Sequence, residues 1–206
     1  MWDGANLNVA GPDTIPMPHA LDSGDHIVAI RFAPGCGPRL LGAPGTALRN
    51  SRVDLVELWG DEAKKLAEQM ACANSVTAQR RCLELAVQER LAAEELDRLV
   101  LETVRRLGGP LESVPSVARL AAELGVTERQ LLRRSNIALG YGPKQLARIL
   151  RFQGFLRELR RAPATSLAEL AILCGYADQA HLTHETSELA GVTPGLLQAE
   201  LVTGDV

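Results

Sequence analysis

The sequence predicts an α+β chain, with a small β-rich N-terminal module ahead of an all-helical half that carries two helix-turn-helix units joined by a long helix. Three observations lead there. Ser116 to Pro143 and Ser166 to Pro194 are two copies of one segment. The stretch between them repeats apolar side chains at helical spacing. Residues 1–60 concentrate glycine and proline around short β-prone runs.

The N-terminal module, residues 1–60, contains AGPDTIPMPH and APGCGPRLLGAPG. Between them His26 to Phe32 alternates apolar residues within turn formers, the pattern of a short strand. Such runs are too few to close an eight-stranded barrel, so the module is either reduced or continued upstream. Its open strand edges invite a second protomer, and a homodimer is expected. Gly35, Gly37, Gly42 and Gly45 fall in a proline-containing stretch with neither GxGxxG nor a Walker lysine-serine pair, which reads as a loop. Residues 61–109 turn helical, with Ala63, Leu66, Ala67 and Met70, then Leu83, Ala86, Leu91, Leu96, Leu99, Val100 and Val104 at apolar positions. They form a connector that ends at Gly108-Gly109-Pro110, leaving 110–206 for the repeats.

Aligned with one extra residue, Ala177, in the second copy, the repeats superpose Ser116 on Ser166, Leu120 on Leu170, Ala121 on Ala171 and Gly125 on Gly175. After the insertion Leu131 meets Leu182, Gly140 meets Gly191 and Pro143 meets Pro194. Such self-similarity identifies the structural unit. In the first copy Val117, Leu120, Ala121 and Leu124 define a short amphipathic helix and Gly125 ends it. Thr127-x-x-Gln130 is a capping box that opens the next helix, anchored by Leu131 and Leu139 and ended by Gly140. In the second copy Ser166-x-x-Glu169 is again a capping box, Gly175-Tyr176 makes the turn, and Asp178 caps a helix anchored by Leu182 and Leu189. Each copy hands over to a new helix at a proline, whose missing amide costs nothing there. Two helices around a tight glycine turn fit the motif whose second helix enters the DNA major groove. The alternative is a helical repeat that packs on itself.

Pro143 to Arg161 carries Leu146, Ile149, Leu150, Phe152, Leu156 and Leu159 at helical spacing, predicting a single joining helix of somewhat under ~30 Å. That approaches the roughly 34 Å turn of B-DNA. The chain as a whole is slightly acidic, with 22 basic and 25 acidic residues, so bulk charge selects no partner. From Arg129 to Arg161, however, nine basic residues face the single acid Glu158. Lys144, Arg148 and Arg151 share one helix face, the footprint expected of a phosphate-binding surface.

Residues from about Pro115 to Ala199 resemble the DNA-binding domain of AraC/XylS-type transcription regulators. The family's Gly-aromatic-x-Asp-Gln-Ser-His-Phe run corresponds to Gly175-Tyr176-Ala177-Asp178-Gln179-Ala180-His181-Leu182, and its Gly-x-Thr-Pro to Gly191-Val192-Thr193-Pro194. Leu139-Gly140-Tyr141-Gly142-Pro143 supplies the corresponding end of the first unit. The resemblance implies a seven-helix domain with two DNA-reading motifs. The sequence departs from the pattern at Ser135 and Thr186, where the family has aromatics, and at His184, where it has arginine.

On the first recognition helix Arg129, Leu132, Arg133 and Arg134 are the candidate DNA contacts, with Arg129 and Arg133 foremost because arginine matches guanine O6 and N7. On the second helix Gln179, Ala180, His181 and His184 hold the equivalent places, although His181 also suits completion of the Asp178 cap. Glu185 and Glu188 make that helix acidic, so it is expected to contribute less affinity. Lys144, Arg148 and Arg151 complete the set. The implied function is regulation of transcription at a double-stranded operator, with a possible small-molecule effector bound by the N-terminal module. Two other readings are a small-molecule-binding β domain with a helical protein-interaction scaffold, and a cupin-like enzyme targeted by the repeats. No enzyme activity, cofactor or metal is expected. His19 and His26 lack a third ligand, His181-x-x-His184 lacks Cys or Glu partners, and no nucleophile set assembles. Cys36, Cys72, Cys82 and Cys174 form no CxxC. With neither a signal peptide nor a run of about 20 apolar residues, a cytoplasmic chain with reduced thiols and no membrane partner is expected.

Overall fold

The structure is a computed structural model that describes residues 1–17, 26–91, 95–109 and 114–203. His19 and Pro110 lie outside the described residues. The N-terminal part is not β-rich. Among the described residues its sheet has only two three-residue antiparallel strands, β1 (Asn8–Ala10) and β2 (Arg52–Asp54), in the register Asn8↔Asp54, Val9↔Val53, Ala10↔Arg52. Of the run expected to form a strand, only Val28 pairs, in an isolated bridge to Trp2. Alternation within the run serves packing instead: Val28 is buried in an apolar core, and Ile30 and Phe32 lie against it.

The glycine-rich stretch is also not all loop. It holds two short helices, α1 (Gly37–Leu41) and α2 (Gly45–Leu48). Pro38 stands in the first turn of α1, where it lacks only an amide that would be unpaired anyway. Leu40, Leu41 and Leu48 are buried, so the two turns are held by tertiary burial that outweighs poor intrinsic propensity.

The chain divides into two compact units. One comprises Met1–Asp13, Met17–Leu101 and Arg129–Gly142. Its core gathers Trp2, Leu40, Leu48, Trp59, Met70 and Leu83. After β2 come α3 (Leu55–Trp59), capped by the Asp54 carboxylate, α4 (Asp61–Cys72) and α5 (Val76–Leu91). Ala63, Leu66 and Met70 bury the α4 stripe as the spacing predicts. α6 (Arg98–Leu107) follows, with only its residues up to Leu101 in this unit; it opens at Asp97, whose Oδ1 accepts from the amides of Leu99 and Val100.

The same unit holds α8 (Glu128–Leu139), the first recognition helix apart from Glu128. Gly140, expected to end that helix, does so at φ +85° and also admits a close backbone approach. A Cβ on Gly45 would sit 2.3 Å from the Gly140 nitrogen, and a Cβ on Gly140 would sit 2.7 Å from the Gly45 oxygen. Two backbones meet there only because both residues lack a side chain.

The other unit comprises Thr14–Pro16, Glu102–Glu128 and Pro143–Val206. It contains α7 (Val117–Glu123), α9 (Pro143–Arg161), α10 (Leu167–Leu173), α11 (Gln179–Ala190) and α12 (Pro194–Thr203). The joining helix is continuous, as its spacing predicts. Its buried stripe includes Phe155, fully inaccessible, which joins Phe152, Leu159, Leu170, Ala171 and Leu182 in one core. Among the described residues no helix is long and apolar enough to cross a membrane.

Candidate nucleic-acid interface

Local chemistry sets both turns. Ser116 caps α7 by accepting from the Arg119 amide. Gly125 then takes φ +67°, and the Val126 amide returns to the Ala121 carbonyl. The second turn repeats this backbone closure: Gly175 takes φ +74° and the Tyr176 amide returns to Ala171. Ser166 and Glu169 form the expected reciprocal capping box of α10. Asp178 caps α11, accepting from the His181 amide at 2.7 Å.

On α8, Leu131, Ser135 and Leu139 are buried, whereas Arg129, Leu132 and Arg133 are exposed. Among the described residues, Arg129 and Arg133 make no ion pair. The exposed Lys144 at the start of α9 is likewise without one. Arg134 is different. Its Nε donates to Asp97 Oδ2 at 2.8 Å and its Nη2 donates to Asp97 Oδ1, a two-point clamp. Burial would raise the Asp97 pKa. The bonds from Arg134 and from the Val100 amide outweigh it and hold this carboxyl below its ordinary value.

The basic face expected on the joining helix is largely neutralised. Arg148 Nε donates to Glu185 Oε1 at 2.8 Å, and its Nη2 pairs with Glu188. Arg151 Nη2 donates to Glu185 Oε2 at 2.8 Å, and its guanidinium lies 4.9 Å from the centre of the Tyr176 ring. Glu185 is only 8% exposed and points inward. Burial acts to raise its pKa, but the Arg148 and Arg151 hydrogen bonds hold it below the usual carboxylate range. Both carboxylates of α11 are thus paired with arginines of α9, Glu185 buried and Glu188 half exposed. Of Lys144, Arg148 and Arg151, only Lys144 has no acidic partner among the described residues.

Gln179, Ala180 and His184 are exposed on α11. His184 is 72% exposed, with Nε2 3.4 Å from Glu188 Oε1. His181 completes the turn, as its cap position allowed: its Nδ1 accepts from the Ala177 amide at 3.2 Å, and its ring meets the edge of Tyr176. Burial pushes the Tyr176 hydroxyl up to about 12.

Two of the three departures from the family pattern share one physical situation. Ser135 and Thr186, equivalent in the repeat, are fully buried, and neither hydroxyl has a hydrogen-bond partner among the described residues. Sequence reasoning missed Asp97 altogether. Its position before a run of helical spacing, with no glycine or proline between, was the available sign of a cap. Glu185 was legible as inward only through its repeat neighbour Thr186.

A tandem helix-turn-helix with exposed arginines on one recognition helix defines a class of nucleic-acid-binding domain. Residues 120–200 match a family model described as a helix-turn-helix domain, the segment that carries the resemblance to AraC-type regulators. No curated protein and no solved structure matches the chain.

Proposed function

We propose that the chain is a sequence-specific regulator of transcription that reads duplex DNA through α8 and α11. The observation that carries this reading is the repeated turn geometry, with Arg129 and Arg133 exposed on the first reading helix and without an ion pair among the described residues. Phosphate contacts supply most of the affinity and the register, and base-edge contacts supply the sequence preference. Lys144 is assigned to phosphate, Arg129 and Arg133 to guanine edges, with Leu132 packing beside them. On α11, Gln179, Ala180 and His184 are the reading positions. Gln179 suits an adenine edge and Ala180 a thymine methyl.

An effector site is assigned to a cavity of about 750 Å³ in the first unit, bordered by Pro38, Leu96, Arg98, Arg134 and Ile137. Ile137, half exposed there, supplies an apolar wall. A second copy of the chain is assigned to the open edges of the β1–β2 pair. Sequencing of duplexes selected by the full chain from a random pool tests the main reading. A bipartite enriched motif supports it, and the absence of enrichment refutes it.

A further inference from the structure

Arg134 and Glu185 occupy equivalent positions in the two copies, each just before the buried hydroxyl residue of its recognition helix. Their charges are opposite, yet both do the same thing: each is bound by counter-charges from outside its own recognition helix. Glu185 is held by Arg148 and Arg151 of α9. Arg134 is held by Asp97, at the start of α6 and 37 residues away in sequence.

We propose that Asp97 is a positioning residue for DNA reading: through Arg134 it fixes the rotation of α8 and hence the aim of Arg129 and Arg133. The inference rests on the DNA-binding reading above. Three features support it. The clamp uses both oxygens of Asp97 and two nitrogens of Arg134, a geometry that fixes orientation as well as distance. The same carboxylate binds the Leu99 and Val100 amides at 3.0 and 3.2 Å, so it is itself held in place by the first turn of α6. Finally, the end of α8 is pinned in the same unit by the Gly45–Gly140 approach and by Arg49, which donates to the Gly140 carbonyl at 3.5 Å. The helix is thus tied at its middle and its end. Arg134 is accordingly reassigned from DNA contact to anchor. A small misplacement of a reading helix is costly because a bidentate base contact tolerates little rotation.

The test uses the full chain, the duplex that wild type enriches from a random pool, and a scrambled duplex of equal length. Asp97→Asn keeps a cap-competent side chain while removing the charge. Arg134→Met keeps the apolar stem and removes the guanidinium. Each is expected to lower the ratio of selected to scrambled affinity about three- to tenfold. The salt slope should be unchanged, because no phosphate contact is lost. The double variant should lose no more than either single one. Unchanged ratios in both single variants overturn the proposal. So does a salt slope that falls by about one unit in Arg134→Met, which makes Arg134 a phosphate contact itself. If wild type enriches no duplex, the DNA-binding reading falls, an outcome distinct from failure of the positioning role alone.

Discussion

Replacing Glu185 with glutamine keeps the shape of the side chain and removes the charge that two guanidinium groups share. Removing one partner of a buried ion pair costs about 3–5 kcal/mol, because the remaining charge is left unpaired. Two facts lower that figure here. Arg148 and Arg151 are each 26% exposed and so partly hydrated, and Arg148 keeps Glu188. The expected loss is therefore about 2–3 kcal/mol, a fall in thermal midpoint of roughly 5–10 °C for a chain of this size. The pH dependence has a definite sign. The folded Glu185 pKa is depressed, so its contribution is fully present above the unfolded value of about 4.3. It is lost as pH falls through the folded pKa. Urea or thermal unfolding of wild type and Glu185→Gln should differ at neutral pH and converge in acid. Midpoints that coincide at neutral pH refute the assignment of Glu185 as an inward anchor.

Arg133→Ala is expected to cost at least about tenfold in specific affinity and to relax one base position, as binding isotherms on the selected duplex at fixed salt will read. His184→Ala should cost much less, because its ring lies 3.4 Å from the Glu188 carboxylate, and His184→Arg should tighten binding without changing the bases preferred by α8. Thr186→Val removes a buried hydroxyl without a partner among the described residues and is expected to be neutral or to stabilise by up to about 1 kcal/mol in urea unfolding. Gly45→Ala places a Cβ against the Gly140 backbone and should destabilise by several kcal/mol, measured the same way; a stable variant would show that the two backbones separate readily.

The helical half was legible because its order is local. Ser116, Ser166 and Asp178 act on amides within three residues, and Gly125, Gly140, Gly175 and Gly191 all take the positive φ that their places in the repeat require. Period and capping chemistry therefore located α7 to α12 from the chain alone. Burial patterns on α8 and α11 follow the same periodicity, which is why Leu131, Leu182, Arg129 and Arg133 face as expected.

Two properties were decided only by tertiary structure. In the N-terminal part, alternation in residues 26–32 has the same form whether the apolar side chains line a sheet or fill gaps beneath helices. A strand exists only where a partner offers hydrogen bonds, and among the described residues of that run only Val28 has one. The second property is the fate of the charges. Spacing places Lys144, Arg148 and Arg151 on one helix face, but a guanidinium goes to whichever carboxylate packing brings within reach. Glu185 lies 37 residues from Arg148, and Asp97 lies 37 from Arg134. No pattern along the chain encodes those distances. Folding brings the carboxylates close, and partial burial strengthens the pairs by excluding water, so two cations of α9 expected to contact DNA instead support α11.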